Sequence, residues 1–158
     1  MDFIFKNANA YHVNSNATYI LGGSAGAHLA ALYTVKNPSP EIKGTIGISG
    51  AYELTSLYAD GNSEAKLVLE AFLGGTPQTK EQNYFNASPY NFIEKTPTKY
   101  LLLHGEDDRL VPISQAQKFE TALKAKNIEV QKFYYSGGHG IPPEHVIQGL
   151  EKIRDFLK

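Results

Sequence analysis

A serine lies among closely spaced small residues near the start of the chain, in Gly22-Gly23-Ser24-Ala25-Gly26. The segment matches G-x-S-x-G, in which glycines permit a sharp strand-to-helix turn that exposes the hydroxyl. We predict that Ser24 is a nucleophile and that the Ala25 amide, at the start of the following helix, holds an oxyanion. An ordinary glycine-rich turn is the alternative. Nucleotide binding is disfavoured, because no Gly-Lys-Ser/Thr follows and a G-x-G-x-x-G frame from Gly22 would need glycine at positions 24 and 27.

A serine hydroxyl is a poor nucleophile unless a histidine takes its proton and a carboxylate orients that histidine. Both residue types occur in later loops. The acids Glu106, Asp107 and Asp108 follow one apolar run, and His139 lies between glycines after another. Loops that follow parallel strands meet at the edge where an open α/β sheet forms its crevice. The sequence therefore predicts that Ser24, His139 and one of these acids come together.

Four short apolar or aromatic runs predict the strands that position these loops: Thr18–Leu21, Thr45–Ser49, Tyr100–Leu103 and Val130–Tyr135. The predicted helices are Ala27–Val35, Ser63–Phe72, one opened by a capping box at Ser114–Gln117 and reaching about Lys126, and one beginning at Pro142-Pro143. Apolar residues share one face of the last helix: Val146, Ile147, Leu150, Ile153 and Phe156. This alternation indicates an α/β fold with a mostly parallel sheet of about four strands and flanking helices.

The connection over residues 51–96 is too long for an ordinary loop. It contains the predicted helix Ser63–Phe72, ended by Gly74-Gly75, and a tail rich in Tyr, Asn and Pro. We interpret 51–96 as a lid-like insertion within a single domain that covers residues 1–158. Tyr52 and Tyr58 are candidates for substrate binding, and packing within the lid is the alternative for both.

Gly23 and His28 are further candidates for contact with a substrate. His28 lies one turn into the predicted helix after Ser24, so it either packs and caps that helix or lines the site. We expect His104 to shape the acid-bearing loop through a bond to the backbone. No pair of histidines has the spacing of a zinc site, so no metal is predicted.

The composition favours a small-molecule partner. The net charge is -1 and the charged residues are scattered, so no nucleic-acid or anionic-membrane surface is expected. The longest apolar run, near Leu67–Leu73, is too short and too charged to span a bilayer. The absence of cysteine excludes disulfides and a thiol nucleophile but leaves the compartment open. No signal peptide is visible, so the cytoplasm is favoured, with secretion open if the true N-terminus lies upstream.

Five segments together resemble the carboxyl-terminal portion of the α/β-hydrolase superfamily: Gly22–Ala30, Ile48–Tyr52, Ala87–Pro89, Leu103–Pro112 and Gly138–Gly140. The resemblance is to bacterial esterases and lipases of the hormone-sensitive-lipase-like and feruloyl-esterase-like groups. It implies a serine hydrolase that cleaves small carboxylic esters through an acyl-enzyme, without a cofactor. The family pattern His-Gly-x-x-Asp-x-x-Val-Pro selects Asp108 as the catalytic acid beside Ser24 and His139. A non-catalytic binding protein and a serine peptidase of the oligopeptidase type are the alternatives.

The chain departs from this family before the nucleophile. The family has several strands and a His-Gly-rich loop there, which supplies a second oxyanion amide, whereas 23 residues precede Ser24 here. We therefore expect an N-terminally truncated fold with impaired ester turnover. The strand Thr18–Leu21 would then have an unpaired edge, which favours association. We predict that two copies pair through this edge, or that Met1–Tyr11, which suits the end of an amphipathic helix, covers it.

Overall fold

Four parallel strands form the centre of the molecule. The computed structural model describes residues 1–158, the side chain of Asp2 excepted. The strands are β1 (Thr18–Gly23), β2 (Ile42–Ile48), β3 (Lys99–Gly105) and β4 (Val130–Tyr135). They lie in the order β1-β2-β3-β4, and each neighbouring pair is parallel. The α/β fold predicted from the alternation of apolar runs and helices is confirmed.

Helices connect and flank these strands. In the described residues they are α1 (Asp2–Lys6), α2 (Ala25–Lys36), α3 (Leu54–Asp60), α4 (Ser63–Leu73), α5 (Glu81–Ala87), α6 (Ser114–Ala125) and α7 (Val146–Phe156). Short 3-10 turns occupy Ser15–Ala17, Pro89–Phe92 and Pro143–His145. None of the described helices combines the length and the apolar character needed to cross a bilayer.

Side chains of β3 alternate between two apolar layers. Tyr100 and Leu102 pack on the side of α2 and α6, in a cluster that includes Phe119. Leu101 and Leu103 point to the other side, where they form a cluster with Phe156 of α7. Helices therefore cover both faces of this strand, which explains why its sequence is a continuous apolar run.

The start of α6 differs from the prediction. The residue at its N-cap position is Ile113, which has helical backbone angles and makes no side-chain capping bond. The predicted capping box at Ser114–Gln117 is therefore wrong. The helix instead continues directly from the preceding turn, because the amide of Gln115 donates to the carbonyl of Pro112 at 2.9 Å.

The apolar face predicted for α7 is also only partly buried. Ile147 is 72% exposed and Leu150 is 60% exposed, whereas Phe156 is fully buried. The buried residues of this helix are Gly149 and Phe156, and a Cβ on Gly149 would lie 3.1 Å from the side chain of Ile141 and 3.7 Å from that of Leu103. The face that meets the sheet is thus set by Gly149 and Phe156, and Ile147 and Leu150 lie beside it.

The segment between β2 and β3 has its own apolar cluster, formed by Leu54, Leu57, Ala65, Leu69, Leu73 and Tyr84. The side chain of Asn62 caps the start of α4, and Gly74 ends that helix in the left-handed conformation. Gln115 of α6 attaches the segment to the rest of the domain. Its side-chain oxygen accepts from the amides of Tyr52 and Glu53, at 3.0 and 2.8 Å. The segment is therefore anchored to the body of the fold at its beginning, and its role as a lid stays a proposal.

The outer edge of β1 has no strand partner within the described residues. Leu21, on this strand, is 53% exposed. Met1 lies near Leu21 and Leu29, but no backbone hydrogen bond joins α1 to the strand in the described part of the chain. The terminal segment thus leaves the hydrogen-bonding edge open, and association of two copies through this edge stays a prediction.

Candidate active site

Ser24 lies at the sharp turn between β1 and α2. Its φ of 51° and ψ of -119° are unfavourable for an L residue. The turn is held by hydrogen bonds, because the Ser24 amide donates to the carbonyl of Ile48 at 2.8 Å and the Ser24 carbonyl accepts from the amide of His28 at 3.1 Å. Gly22 is required sterically, since a Cβ there would lie 2.2 Å from the carbonyl carbon of Gly26. The surrounding backbone therefore fixes the position of the serine.

Three side chains from three loops meet at this turn. Nε2 of His139 lies 2.8 Å from Oγ of Ser24, and Nδ1 of the same ring lies 2.8 Å from Oδ2 of Asp108. With the ring proton on Nδ1, His139 donates to the carboxylate and accepts from the hydroxyl. Asp108 is buried, whereas His139 is exposed and Ser24 is half-buried. The three residues predicted from the sequence thus lie within hydrogen-bonding distance, in the order that proton transfer from Ser24 requires.

Backbone amides hold the carboxylate of Asp108 from the other side. Its Oδ1 accepts from the amides of Leu110 and Val111, at 3.0 and 2.9 Å. Nε2 of His104 donates to the carbonyl of Val111 at 2.8 Å and lies 3.4 Å from Oδ2 of Asp108. His104 therefore shapes this loop through a backbone bond, as expected.

The pKa of Asp108 reflects these contacts. Burial alone would raise it, but the hydrogen bonds from His104, from the amide of Val111 and from His139 outweigh burial and lower the pKa below its ordinary value. The carboxylate is therefore ionised at neutral pH, which suits a group that must stabilise an imidazolium.

Ser49, at the end of β2, fixes the histidine loop. Its Oγ accepts from the amide of Gly140, the residue after His139, at 3.0 Å. Ser49 itself has a φ of +52°, and its amide is held by the carbonyl of Leu103 at 2.8 Å. On the other side of the loop, Gly105 approaches so closely that a Cβ would lie 2.2 Å from the carbonyl oxygen of Gly138. Ser49 was not among the predicted site residues, and the available signal was its position as the last residue of the predicted strand Thr45–Ser49.

Replacing Ser49 by alanine is expected to slow covalent labelling of Ser24 by a fluorophosphonate by about tenfold. Positioning of a catalytic base is sensitive to displacements of about 1 Å, and the variant removes the acceptor for the Gly140 amide. Hydrogen exchange at that amide should become faster, while the thermal midpoint changes little. An unchanged labelling rate in a variant with faster exchange would contradict this positioning role.

The amide of Ala25 lies at the N-terminus of α2, directly beside the serine. In the described part of the chain it donates to no carbonyl or side chain. A free amide at a helix N-terminus is suited to hold negative charge, because the helix dipole adds to its own. This placement is compatible with the predicted oxyanion contact, which remains a proposal.

A cavity of about 280 Å³ opens beside Ser24. His28 lines this cavity. Its Nδ1 is already hydrogen-bonded, because it donates to the carbonyl of Ala51 at 3.0 Å. Burial is the main effect on this ring and lowers its pKa, so His28 is neutral. Gly23 lies next to Ser24 with open space where a side chain would be.

The structure does not bring the two predicted tyrosines to the cavity. Tyr52 is 1% exposed and stacks on Phe119 with 4.4 Å between ring centroids. Its hydroxyl occupies the space that a side chain on Gly47 would need. Tyr58 donates from its hydroxyl to Glu70 at 2.5 Å. Neither residue is among those that line the cavity, so the expectation that they contact a substrate is corrected: Tyr52 belongs to the core, and Tyr58 packs within the inserted segment.

No group of three or more histidine, aspartate or glutamate side chains in the described residues is arranged to hold a metal ion.

A parallel sheet with a serine turn after one strand, and with an acid and a histidine in loops at the same edge, defines an α/β-hydrolase. The BD-FAE family model matches residues 1–123, and the chain belongs to this family. The superfamily predicted from the motifs is therefore confirmed.

The relatives include both esterases and peptidases. The isoprenylcysteine alpha-carbonyl methylesterase ICME of Arabidopsis thaliana is 27% identical over 158 residues, which cover 87% of this chain and 36% of the methylesterase. The uncharacterized peptidase YtmA of Bacillus subtilis (strain 168) is 23% identical over 148 residues, 93% of this chain and 57% of the peptidase. A solved structure of a truncated carbohydrate esterase from gut microbiota superimposes with a TM-score of 0.86 at 20% identity, covering 98% of this chain and 63% of the other. The chain thus spans less than two thirds of each of these relatives.

Proposed function

We propose that this chain carries the catalytic triad of a serine hydrolase that cleaves carboxylic esters through an acyl-enzyme. The observation that carries the proposal is the continuous path from Ser24 Oγ through the ring of His139 to Asp108, with 2.8 Å at each step. This path supplies a base at the hydroxyl and an anion behind that base. No cofactor or metal is needed for the reaction.

In the proposed reaction His139 takes the proton from Ser24 as its Oγ attacks the ester carbonyl. The charge that develops on the carbonyl oxygen is placed near the free amide of Ala25. His139 then gives its proton to the departing alcohol, while Asp108 stabilises the imidazolium. Water, deprotonated by the same ring, releases the acid and restores Ser24.

Turnover by this chain is expected to be slow. Ala25 is the one oxyanion donor that we assign, and loss of one such donor typically lowers the rate by a factor of about 10² to 10³. Covalent labelling of the serine is therefore a more sensitive readout than steady-state hydrolysis.

A peptidase is the second candidate, because an uncharacterized peptidase is among the relatives. The order of nucleophile, acid and histidine in this chain is that of α/β-hydrolases in general. The cavity favours an ester, since a peptide substrate would bring the N–H and C=O groups of its neighbouring residues to a wall that is almost entirely apolar.

The proposal is tested with a fluorophosphonate probe and a substrate panel. We expect the probe to modify the tryptic peptide that contains Ser24, and p-nitrophenyl butyrate to be hydrolysed faster than a dipeptidyl p-nitroanilide. Faster release from the anilide would favour the peptidase. An unlabelled chain that hydrolyses neither would point to a non-catalytic binding protein.

A further inference from the structure

The wall of the cavity beside Ser24 is almost entirely apolar. Four of its side chains come from one face of α4, namely Ala65, Val68, Leu69 and Phe72. Leu29 of α2 and Leu57 of α3 continue the same apolar surface. The segment between β2 and β3 thus forms much of the wall, directly next to the hydroxyl of Ser24.

Few polar groups reach this cavity. Apart from Ser24, the lining residues with polar side chains are His28 and Glu64. His28 already uses Nδ1 on the carbonyl of Ala51. A sugar or peptide group placed here would lose hydrogen bonds to water without finding replacements, which is unfavourable. An aliphatic or aromatic group would instead gain from leaving water.

The volume of the cavity gives a scale for the part of this group that it can bury. At roughly 30 Å³ for a water-sized unit, 280 Å³ holds about nine non-hydrogen atoms. A chain of about six carbons, or a phenyl group with a short linker, fits this volume.

Glu64 contributes the one acidic side chain of the lining and is exposed. It lies in the first turn of α4, and none of the ion pairs in the described residues includes it. A negative charge at this position repels a second negative charge, so a ligand that ends in a carboxylate is disfavoured.

We infer that the cavity binds an uncharged apolar group of about six to nine non-hydrogen atoms on the ester cleaved at Ser24, and that Glu64 discriminates against anionic esters. This inference rests on the proposed function. The apolar group belongs either to the acid or to the alcohol of the ester, and the chemistry of recognition is the same for both.

Binding is measured on the Ser24→Ala chain, by calorimetry, so that catalysis is not required. Ethyl hexanoate carries its long chain on the acid side, and its isomer hexyl acetate carries it on the alcohol side. We expect one of them to bind more tightly than ethyl acetate, by about fourfold for each methylene that is buried. Affinity that does not rise with chain length in either series would overturn the inference.

Val68→Trp, in the same background, tests the location. Val68 is 60% exposed, so the larger ring can enter the cavity without disturbing the core, and we expect binding of the preferred ester to fall at least tenfold. Leu67→Trp is the matched control, because Leu67 is the neighbouring residue of α4, is 69% exposed and does not line the cavity. Equal binding by the two variants would place the ligand elsewhere and overturn the inference.

Glu64→Gln tests the discrimination. Monoethyl adipate matches ethyl hexanoate in length but ends in a carboxylate, and we expect Glu64→Gln to improve its binding several-fold relative to ethyl hexanoate. Glu81→Gln is the control, since Glu81 likewise lies in the first turn of its helix, α5, and is exposed. If the ratio of the two affinities, for monoethyl adipate and for ethyl hexanoate, is the same in Glu64→Gln as without that substitution, Glu64 does not discriminate against anionic esters.

Failure of the inference and failure of the proposed function give different results. If binding to Ser24→Ala rises with chain length but the unaltered chain is not labelled, the inference about the cavity is supported and the proposed catalytic function is contradicted. If Ser24 is labelled but binding depends neither on chain length nor on the substitution of Val68, the proposed function is supported and the inference about the cavity is contradicted.

Discussion

Replacing Ser24 by alanine is expected to abolish fluorophosphonate labelling and to lower ester hydrolysis by a factor on the order of 10³ or more. The variant removes the only hydroxyl that His139 Nε2 contacts in the described residues, at 2.8 Å. Stability should change little, because alanine and serine have similar backbone preferences at a φ of 51°. Labelling is measured by intact mass, hydrolysis with p-nitrophenyl butyrate, and stability by thermal unfolding.

Ser136→Ala is the matched control for this experiment. Ser136 Oγ lies 3.1 Å from Nε2 of His145, so this is a second serine and histidine pair in the chain. Behind that ring, however, lies the amide oxygen of Gln148 at 3.3 Å, where a triad has a carboxylate. We expect Ser136→Ala to label like the unaltered chain. Labelling that survives in Ser24→Ala and disappears in Ser136→Ala would overturn the assignment.

Replacing Asp108 by asparagine is expected to lower the rate of Ser24 labelling by about 10⁴, a magnitude known for this change in another triad enzyme. Asparagine would keep an oxygen for the amides of Leu110 and Val111 and turn its NH₂ toward His139. Since that ring could then accept at Nδ1, its proton would move to Nε2, where it could no longer take the proton of Ser24. The measurement is the labelling rate as a function of pH.

Asp107→Asn is the control for the acid, because Asp107 lies in the same loop and is exposed. It should leave the labelling rate within about twofold. A larger loss in Asp107→Asn than in Asp108→Asn would show that the neighbouring acid had been misassigned.

Replacing Asp108 by asparagine should also change how the free energy of unfolding depends on pH. The pKa of Asp108 is lower in the folded chain than its ordinary value, so its ionised form stabilises the fold above that ordinary value. This contribution disappears as the pH falls through the lowered pKa. We therefore expect the acid-induced loss of unfolding free energy to be smaller for Asp108→Asn than for the unaltered chain, as measured by urea unfolding from pH 6 to pH 3.

The sequence was sufficient to predict the elements that carry the site, because each depends on local pattern. The apolar run at Tyr100–Leu103 lies within β3, and the glycine spacing around Ser24 predicted the turn that the structure contains. The closeness of His139 to Ser24 followed from parallel topology alone, since loops after parallel strands share an edge.

Contacts between distant backbone and side-chain groups were not predictable in this way. The Gly140 amide finds its acceptor 91 residues away, at Ser49. Gln115 holds the amides of Tyr52 and Glu53 from a helix more than 60 positions later. Such pairs produce no periodic pattern in the sequence. A polar residue in a helix or turn has the same sequence context whether its side chain faces water or binds a buried amide.

Tyr52 shows how a tertiary contact can override local expectation. Its place in the predicted insertion 51–96 made it a candidate for contact with a substrate. Its ring instead enters a gap bounded by Gly47 and Gly50, where a side chain on either glycine would lie within 2.5 Å of its hydroxyl. The ring can enter the core because those two positions have no side chains, and the identity of residue 52 alone does not reveal this.

The strand order β1-β2-β3-β4 also bears on how the chain folds. Each strand pairs with the next one along the sequence, so the sheet can grow by adding one crossover unit at a time, with modest loop-closure entropy at each step. The contact between Ser24 and His139 is of another kind, because it spans 115 residues. It can form only after β4 has joined the sheet. We therefore expect the contact between Ser24 and His139 to form late in folding and to contribute little to the folding nucleus.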